Sequence, residues 1–557
     1  MSTRLPQQHI GLENAPISTL ISGTSPIYKN YHHAPTSGGK EEAERNVDHV
    51  FQTGYDEVAA PEPNKRGLAL LMIVVALALS MFLTIVATAI PRITDEFGGI
   101  DLLSFLIAIV LFEVGSLICG RSTLFHLRHI GILLAHKSPL LGVAPNSLAL
   151  IIGRAITGVG GAGISSGAFT IIAFSAPPKK RPAYIGILGA SYGVAAAVGP
   201  LIGGAFTSHA TWRWCFYINL PIGGVSAVII SLFYAPPPAS SLSNEPLREK
   251  ILQMDIPGAF LLIGAMVCYA LALQWGGISR PWGSSTVIGT LVGFVALLGA
   301  YIFTQWWQTD RASMVGRLFD RNVIVAMIYI DLLAGTFFLL VYYLPIYFQV
   351  VSGVSAAESG IRNLPLILAQ SVATVSSGIA LSKFDRPLPF LLLGAGLTSI
   401  GSGLLYTLDI DSSAGVWIGY QILAGVGVGW CFQVPIVTAQ ATAAPADLSS
   451  VTAMVLTVQT LGGSVFVSAG QSALDNVLLR SISILPGIDS SEVLRAGATG
   501  LRNAFGPERL PGILAAYMKG IRAALLVAVI ASSLATLVGM GIRRVKLGGI
   551  PSSTVPV

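Results

Sequence analysis

The chain has 557 residues, of which 53% are hydrophobic and only 11% charged, and its mean hydropathy is +0.71. A soluble globular domain carries about one quarter charged residues, whereas the apolar runs here are long enough to cross a hydrocarbon layer of about 30 Å; the alternating pattern of an outer-membrane barrel is absent. The net charge of +6 sits on Lys and Arg in short loops between apolar runs, which is a pattern of membrane orientation and not a nucleic-acid footprint.

Residues 1–66 are polar, rich in Pro, Gly, Ser and His, and read as a disordered cytosolic tail. The first apolar run starts too late for a cleavable signal. Predicted spans follow at 68–90, 102–120, 146–173, 184–206, 215–234, 256–275 and 286–307. The series continues at 322–349, 363–382, 388–407, 414–439, 448–472 and 519–541. Residues 473–518 are too polar to span and read as a large extracellular surface loop with short amphipathic helices.

Lys179, Lys180, Arg181, Arg248, Lys250, Arg311, Arg317, Arg321, Lys383, Arg386, Arg543, Arg544 and Lys546 fall in alternate loops. The intervening short loops carry mainly single cations, Arg213, Arg280 and Arg362. That bias puts the first group, and both termini, on the cytosolic side. The last ten spans agree with it. The first three do not, because Lys65 and Arg66 before them and "KKRP" after them both ask for the cytosol. Between them, "RSTLFHLRHIGILLAHKSPLLG" (121–142) scatters cations that each cost about 2.5–3.5 kcal/mol at a helix centre, so it makes a poor span.

Six stretches carry a family likeness. "GRAITGVGGAGISSG" (153–167), "GASYGVAAAVGPLIGGAF" (189–206) and "TWRWCFYINLPIGG" (211–224) resemble the fourth, fifth and sixth helices of major facilitator superfamily drug:proton antiporters. "YYLPIYFQVVSGVSAAESGIRNLP" (342–365), "GYQILAGVGVGWCFQVPIVTAQ" (419–440) and "QTLGGSVFVSAGQ" (459–471) resemble the fourteen-helix branch, especially fungal toxin and multidrug efflux pumps. The resemblance implies an all-α membrane transporter with two pseudo-symmetric helical bundles, at 67–235 and 322–541. A linker at 236–321 with two extra helices would join them, and residues 542–557 would form a cytosolic tail. It further implies proton-driven export of a small lipophilic organic compound by a plasma-membrane monomer, with no cofactor beyond the proton gradient and no enzymatic chemistry. Uptake of a nutrient or metal chelate is the alternative, as is a non-functional product of such a gene.

The departures from the family fall where the loop charges conflict. The usual first-helix Asp before "TIVATAIP" is missing, as are the second helix and the loop after it, and 121–142 is an atypical insertion. They read as mis-joined exons, including a retained intron, or as a truncated isoform of an otherwise intact pump, with a working thirteen-span variant as the rival reading. His126, His129 and His136 lie within that insertion and do not make a metal site. Cys119, Cys215, Cys268 and Cys431 read as small apolar filler.

Six of the eighteen residues of 189–206 are Gly or Pro, which cost a soluble helix about 1 and 3 kcal/mol each. In lipid, small faces let backbones approach closely. Gly189, Gly193, Gly199, Gly203 and Gly204 are therefore expected to lie against a neighbouring helix, and Pro200 to bend their own. Generic packing explains such spacing as well; the likeness to the antiporter motif favours a seam that opens and closes. Ionisable groups inside the membrane are costly and so are functional candidates. These are Arg154, which the resemblance places at the central cavity in proton coupling, Glu113 and Asp331. Asp95, Glu96 and Asp255 read as solvated at span ends. A drug cavity needs apolar walls with a few uncharged polar groups. Gln349, Gln421, Gln433, Gln440 and Gln459 fit that need, with Tyr342, Tyr343, Tyr347, Trp430 and Phe432 able to stack on flat substrates. Packing and the interface belt are the competing role for the aromatics.

Overall fold

The computed structural model describes residues 165, 168–173, 175–209, 229, 255–444, 447–486, 488, 492–493, 501–502, 504–543 and 545–547. The N-terminal tail, the first two expected spans, the insertion at 121–142, the span at 215–234 apart from residue 229, Glu113, Arg154, Asp95 and Glu96 lie outside the described residues.

Eleven described helices carry the architecture: α1 Arg181–His209, α2 Ile256–Trp275, α3 Ser285–Gln308, α4 Arg321–Val351, α5 Ala356–Arg362, α6 Leu364–Phe384, α7 Pro387–Tyr406, α8 Ala414–Cys431, α9 Val434–Thr442, α10 Leu448–Ile482 and α11 Leu510–Gly539. Eight segments among them (α2, α3, α4, α6, α7, α8 with α9, α10 and α11) are long and apolar enough to cross a membrane. Their starts follow local chemistry. Ser284, Asp320 and Ser355 accept hydrogen bonds from backbone N–H groups of the first turns of α3, α4 and α5, and Pro occupies the opening turn of α2, α6, α7, α9 and α11.

Helices α4 and α6 to α11 pack around a core in two layers. Tyr329, Ile330, Leu333, Val428, Cys431 and Val455 belong to one layer; Tyr343, Phe348, Leu366, Leu478, Ile513 and Ile521 belong to the other. Two buried tyrosines bond their hydroxyls to backbone, Tyr329 to the Leu391 carbonyl at 2.8 Å and Tyr347 to that of Asp409 at 2.9 Å. Helix α3 packs on α2, and its outer face presents Val292, Val295, Phe303 and Trp306 to the surroundings. Such a face belongs against lipid chains.

Two expectations need correction. Residues 473–482 and 510–518 are helical, extending α10 and α11 into the stretch expected to be loop. Leu474, Leu478 and Ile482 keep a helical period and are buried. At about 1.5 Å per residue α10 exceeds 50 Å, so it passes well beyond a single hydrocarbon thickness. Asp255 is likewise not solvated: it is 1% exposed. Its Oδ2 accepts from Gln305 Nε2 at 2.6 Å and Ser313 Oγ at 2.7 Å, and Oδ1 accepts from the Gly258 N–H at 3.1 Å. Gln305 Oε1 accepts from the Met314 N–H at 2.8 Å, so one buried knot ties the start of α2 to the end of α3 and the segment after it.

Candidate functional site

The site begins where α1 meets α6. The two run antiparallel, and Ala183 N–H donates to Ser382 Oγ at 3.2 Å at one end of the contact. A Cβ on Gly186 would sit 2.9 Å from the Thr374 carbonyl, and one on Gly189 would sit 2.7 Å from Gln433 Nε2 and 2.9 Å from Thr374 Cγ2. One on Gly193 would collide with Ser371 Oγ and reach Gln370 Oε1 at 3.1 Å. From the other side, a Cβ on Gly378 would meet Pro182 O and lie 3.2 Å from Gly186 Cα. Backbones approach at Gly186 and Gly378, and small side chains of α6 fill the spaces that Gly189 and Gly193 leave. Gly199 is buried further along α1, and Pro200, Gly203 and Gly204 continue the same helix.

Helix α6 repeats the device on its opposite face. A Cβ on Gly429 of α8 would stand 2.6 Å from Ala373 Cβ, and one on Gly425 would stand 3.0 Å from Ala369 Cβ. Thus α6 is a thin slat between α1 and α8, with Gln370, Ser371, Thr374 and Ser377 buried along it. Their hydroxyls bond back to the helix, Thr374 Oγ1 to the Gln370 carbonyl at 2.8 Å and Ser371 Oγ to that of Ile367 at 2.8 Å.

The break between α8 and α9 brings Gln433 into this seam. Pro435 has no N–H to return to the preceding turn and crowds it, so the helix stops at Cys431 and resumes at Val434. Gln433 is 8% exposed, and its Oε1 has no hydrogen-bond partner among the described residues. The same holds for Oε1 of Gln370, Gln421, Gln440 and Gln459.

The remaining glutamines stand at other levels of the bundle. Gln349 donates to Ser359 Oγ at 3.1 Å and Gln421 to the Arg362 carbonyl at 3.0 Å, both near α5. Gln440 donates to Thr452 Oγ1 at 2.9 Å, joining α9 to α10, and Gln459 is on α10. Tyr343 is fully buried and donates to the Val467 carbonyl at 2.9 Å, which makes it an anchor between α4 and α10. Asp331 is half-buried on α4 with its backbone against Gly462 of α10, near Val465, whose carbonyl accepts from the Tyr269 hydroxyl of α2 at 3.1 Å. Asp331 therefore stands where the extra helix pair docks, apart from the α1–α6 seam. Gln370 and Thr374 were not legible as site residues; they lie in a serine- and threonine-rich run.

The two ends of the bundle differ in charge. Asn322 accepts from the Arg543 N–H at 2.9 Å, Asp385 from the Leu547 N–H at 2.7 Å, and Arg317 pairs with Asp447 at 2.7 Å. With Ala183 bonded to Ser382, these contacts gather Arg181, Arg317, Arg321, Lys383, Arg386 and Arg543 at one end. At the other end a cleft of about 670 Å³ is lined by Tyr347, Glu358, Arg362, Leu368 and Trp417 among others, with Arg362 Nε 3.3 Å from Glu358 and its guanidinium 5.9 Å from the Phe348 ring centre.

A stack of long apolar helices joined by glycine-lined seams, with cations at one end, defines a polytopic membrane transporter scaffold. Residues 68–467 match the Major Facilitator Superfamily model, and the chain belongs to that family. MFS-type transporter grgE of a Penicillium species is 41% identical, over 92% of this chain and 94% of that protein. The probable efflux pump gsfJ of Penicillium aethiopicum is 41% identical, over 87% and 89%, and an MFS-type efflux pump of Arthroderma benhamiae is 40% identical, over 86% and 92%. Among solved structures the fold is similar to a bacterial homolog of the human lysosomal transporter Spinster (TM-score 0.54, 18% identity, 87% of this chain and 98% of that one). It is also similar to a double Trp mutant of XylE (TM-score 0.55, 13% identity, 87% and 97%).

Proposed function

We propose that this transporter is a secondary active efflux pump that exports a small lipophilic organic compound from the cytosol in exchange for protons. The observation that carries the reading is the α1–α6 seam, where Gly186 meets the backbone of Thr374 and Gly378, and Gly189 and Gly193 leave room for the side chains of Thr374, Gln433 and Ser371. A contact to which one helix brings only glycines parts without unpacking side chains of its own, as alternating access requires. Two of the relatives named above are called efflux pumps, and the glycine–proline string of α1 resembles the antiporter motif. In this reading the cationic end faces the cytosol, the membrane is the plasma membrane, and the protein works as a monomer.

Proton coupling requires an ionisable group whose surroundings change as the cavity switches sides. Arg154, Glu113 and Asp331 are the proposed participants. The test is purified protein in vesicles with an imposed acid gradient and a lipophilic fluorescent compound. Gradient-dependent movement is expected, and its loss in Glu113→Gln or Asp331→Asn identifies the coupling group. No movement of any compound by the wild-type chain would overturn the reading; normal movement in both variants would remove these two acids from it.

A further inference from the structure

The cleft at the end of the bundle away from the cationic loops has no part in the scheme above. Its volume of about 670 Å³ falls within the range of small-ligand sites. Glu358 and Arg362 of α5 bring charge to it, and Tyr347 and Trp417 bring aromatic walls. The Phe348 ring holds these parts together. The Arg362 guanidinium is 5.9 Å from its centre, and the rings of Trp417 and Tyr347 meet it edge-on at 4.9 and 5.1 Å.

Arg362 gives Glu358 only its Nε, at 3.3 Å, and its side chain makes no other hydrogen bond among the described residues. Both side chains stay reachable, at 28% and 46% exposed. The turn that supplies Ile410 and Ser412 to the cleft carries Asp409, paired with Arg522 at 3.4 Å, and the exposed Asp411. The cleft therefore has one cation and one anion on its wall and no excess of positive charge around it. From its edge an apolar row descends α6: Leu368 lines the cleft, and Val372 and Ile379 follow on the same face, all exposed. The opposite face of α6 is the one packed on α1 and α8. In a membrane such a row lies against hydrocarbon chains.

The terminal nitrogens of an arginine suit a phosphate. Aromatic faces beside a carboxylate suit a quaternary ammonium. We propose that the cleft is a headgroup site for one phosphatidylcholine molecule of the surrounding bilayer, with its phosphate on Arg362, its ammonium against Trp417 and Glu358, and its chains along Leu368, Val372 and Ile379. Helix α5 also packs on α1, so this lipid stands beside one end of the seam. The site is independent of what the protein transports.

The test is native mass spectrometry of the purified full chain, stripped of lipid in detergent and titrated with dioleoyl-phosphatidylcholine or dioleoyl-phosphatidylglycerol. Wild type should retain one phosphatidylcholine roughly tenfold more tightly than phosphatidylglycerol. Arg362→Gln should weaken phosphatidylcholine roughly tenfold, and Arg362→Lys should recover only part, because the fork is lost. Glu358→Gln should erase the preference, since the acid that repels an anionic headgroup is gone; this half-exposed position decides the matter if Arg362→Gln does not fold. Soluble phosphocholine, which has no chains, should compete only at far higher concentration. Equal retention of the two lipids by wild type, or an unchanged preference in Glu358→Gln, overturns the site. Phosphatidylcholine held by Arg362→Gln as by wild type overturns it too. Phosphocholine binding as tightly as the lipid would assign the cleft to a soluble ligand and refute the lipid.

Discussion

Two buried polar clusters in this protein handle unmatched hydrogen-bonding capacity in opposite ways. In the knot at the base of α2 and α3, Asp255, Gln305 and Ser313 satisfy one another and three backbone N–H groups, those of Gly258, Ser313 and Met314. In the α1–α6 seam, Gln433 and Gln370 each bury an amide oxygen with no donor among the described residues, next to glycines that bring backbones together. A saturated network holds one arrangement. An unsaturated one costs about 1–3 kcal/mol per orphaned group, so an alternative arrangement that supplies a donor is close in free energy. The knot anchors; in the proposed cycle the seam is what shifts.

The largest effect should come from breaking the anchor. Asp255→Ala removes the acceptor of Gln305, Ser313 and the Gly258 N–H at once and leaves them buried without it. Each buried donor left without its acceptor costs about 1–3 kcal/mol, so the loss should be several kcal/mol, read as a drop in thermal stability of the purified protein. Asp255→Asn, which keeps the acceptor oxygen, should recover much of it. Equal melting of Asp255→Ala and wild type would mean that the knot holds nothing.

Next comes the seam. Gly189→Leu places a side chain where Gln433 and Thr374 stand within 3 Å of a bare Cβ. Overpacking of this kind costs about 1–3 kcal/mol, so the protein should still insert and purify, yet its gradient-driven transport should fall at least tenfold, because closure needs the contact. Gly299 of α3, whose Cβ would meet nothing within 4 Å, is the matched control. If Gly299→Leu lowers transport as much as Gly189→Leu, the seam has no special part in the cycle.

Gln433→Met goes in the other direction. It preserves length and removes an oxygen with no partner among the described residues, so stability should hold or rise by about 1 kcal/mol. Transport, measured in the same vesicles, should slow as one seam arrangement is favoured over the other. A clear loss of stability would show that the oxygen is bonded in the working protein.

The difference between these clusters explains what could be read from sequence. Glycine spacing in "GASYGVAAAVGPLIGGAF" gave away the close-packed helix because lipid leaves few other uses for so many glycines. The knot was invisible, since Asp255, Gln305 and Ser313 meet only after α2 and α3 fold back on each other, and an Asp before "IPG" reads equally well as a solvated cap. The continuation of α10 was also hidden. "ALDNVLLR" is polar enough to pass for a loop, and only its packing against α4 and α11 makes the period of Leu474, Leu478 and Ile482 decisive. Long apolar runs declare spans, whereas pairings between distant polar residues do not declare themselves.

A last contrast is between buried and exposed charge. Arg317 reaches Asp447 with two hydrogen bonds of 2.9 and 2.7 Å, joining the segment before α4 to the turn between α9 and α10. The geometry is as good as that of the knot, but the Arg317 side chain is 58% exposed. Water and salt then screen most of the attraction, and exposed pairs of this kind contribute about 0–1 kcal/mol. Arg317→Ala should therefore shift thermal stability far less than Asp255→Ala, and the small difference should vanish when the melting is repeated in high salt. A loss that rivals Asp255→Ala and persists in salt would place this pair among the anchors, and burial would no longer separate the groups that hold the fold from those that ride on it.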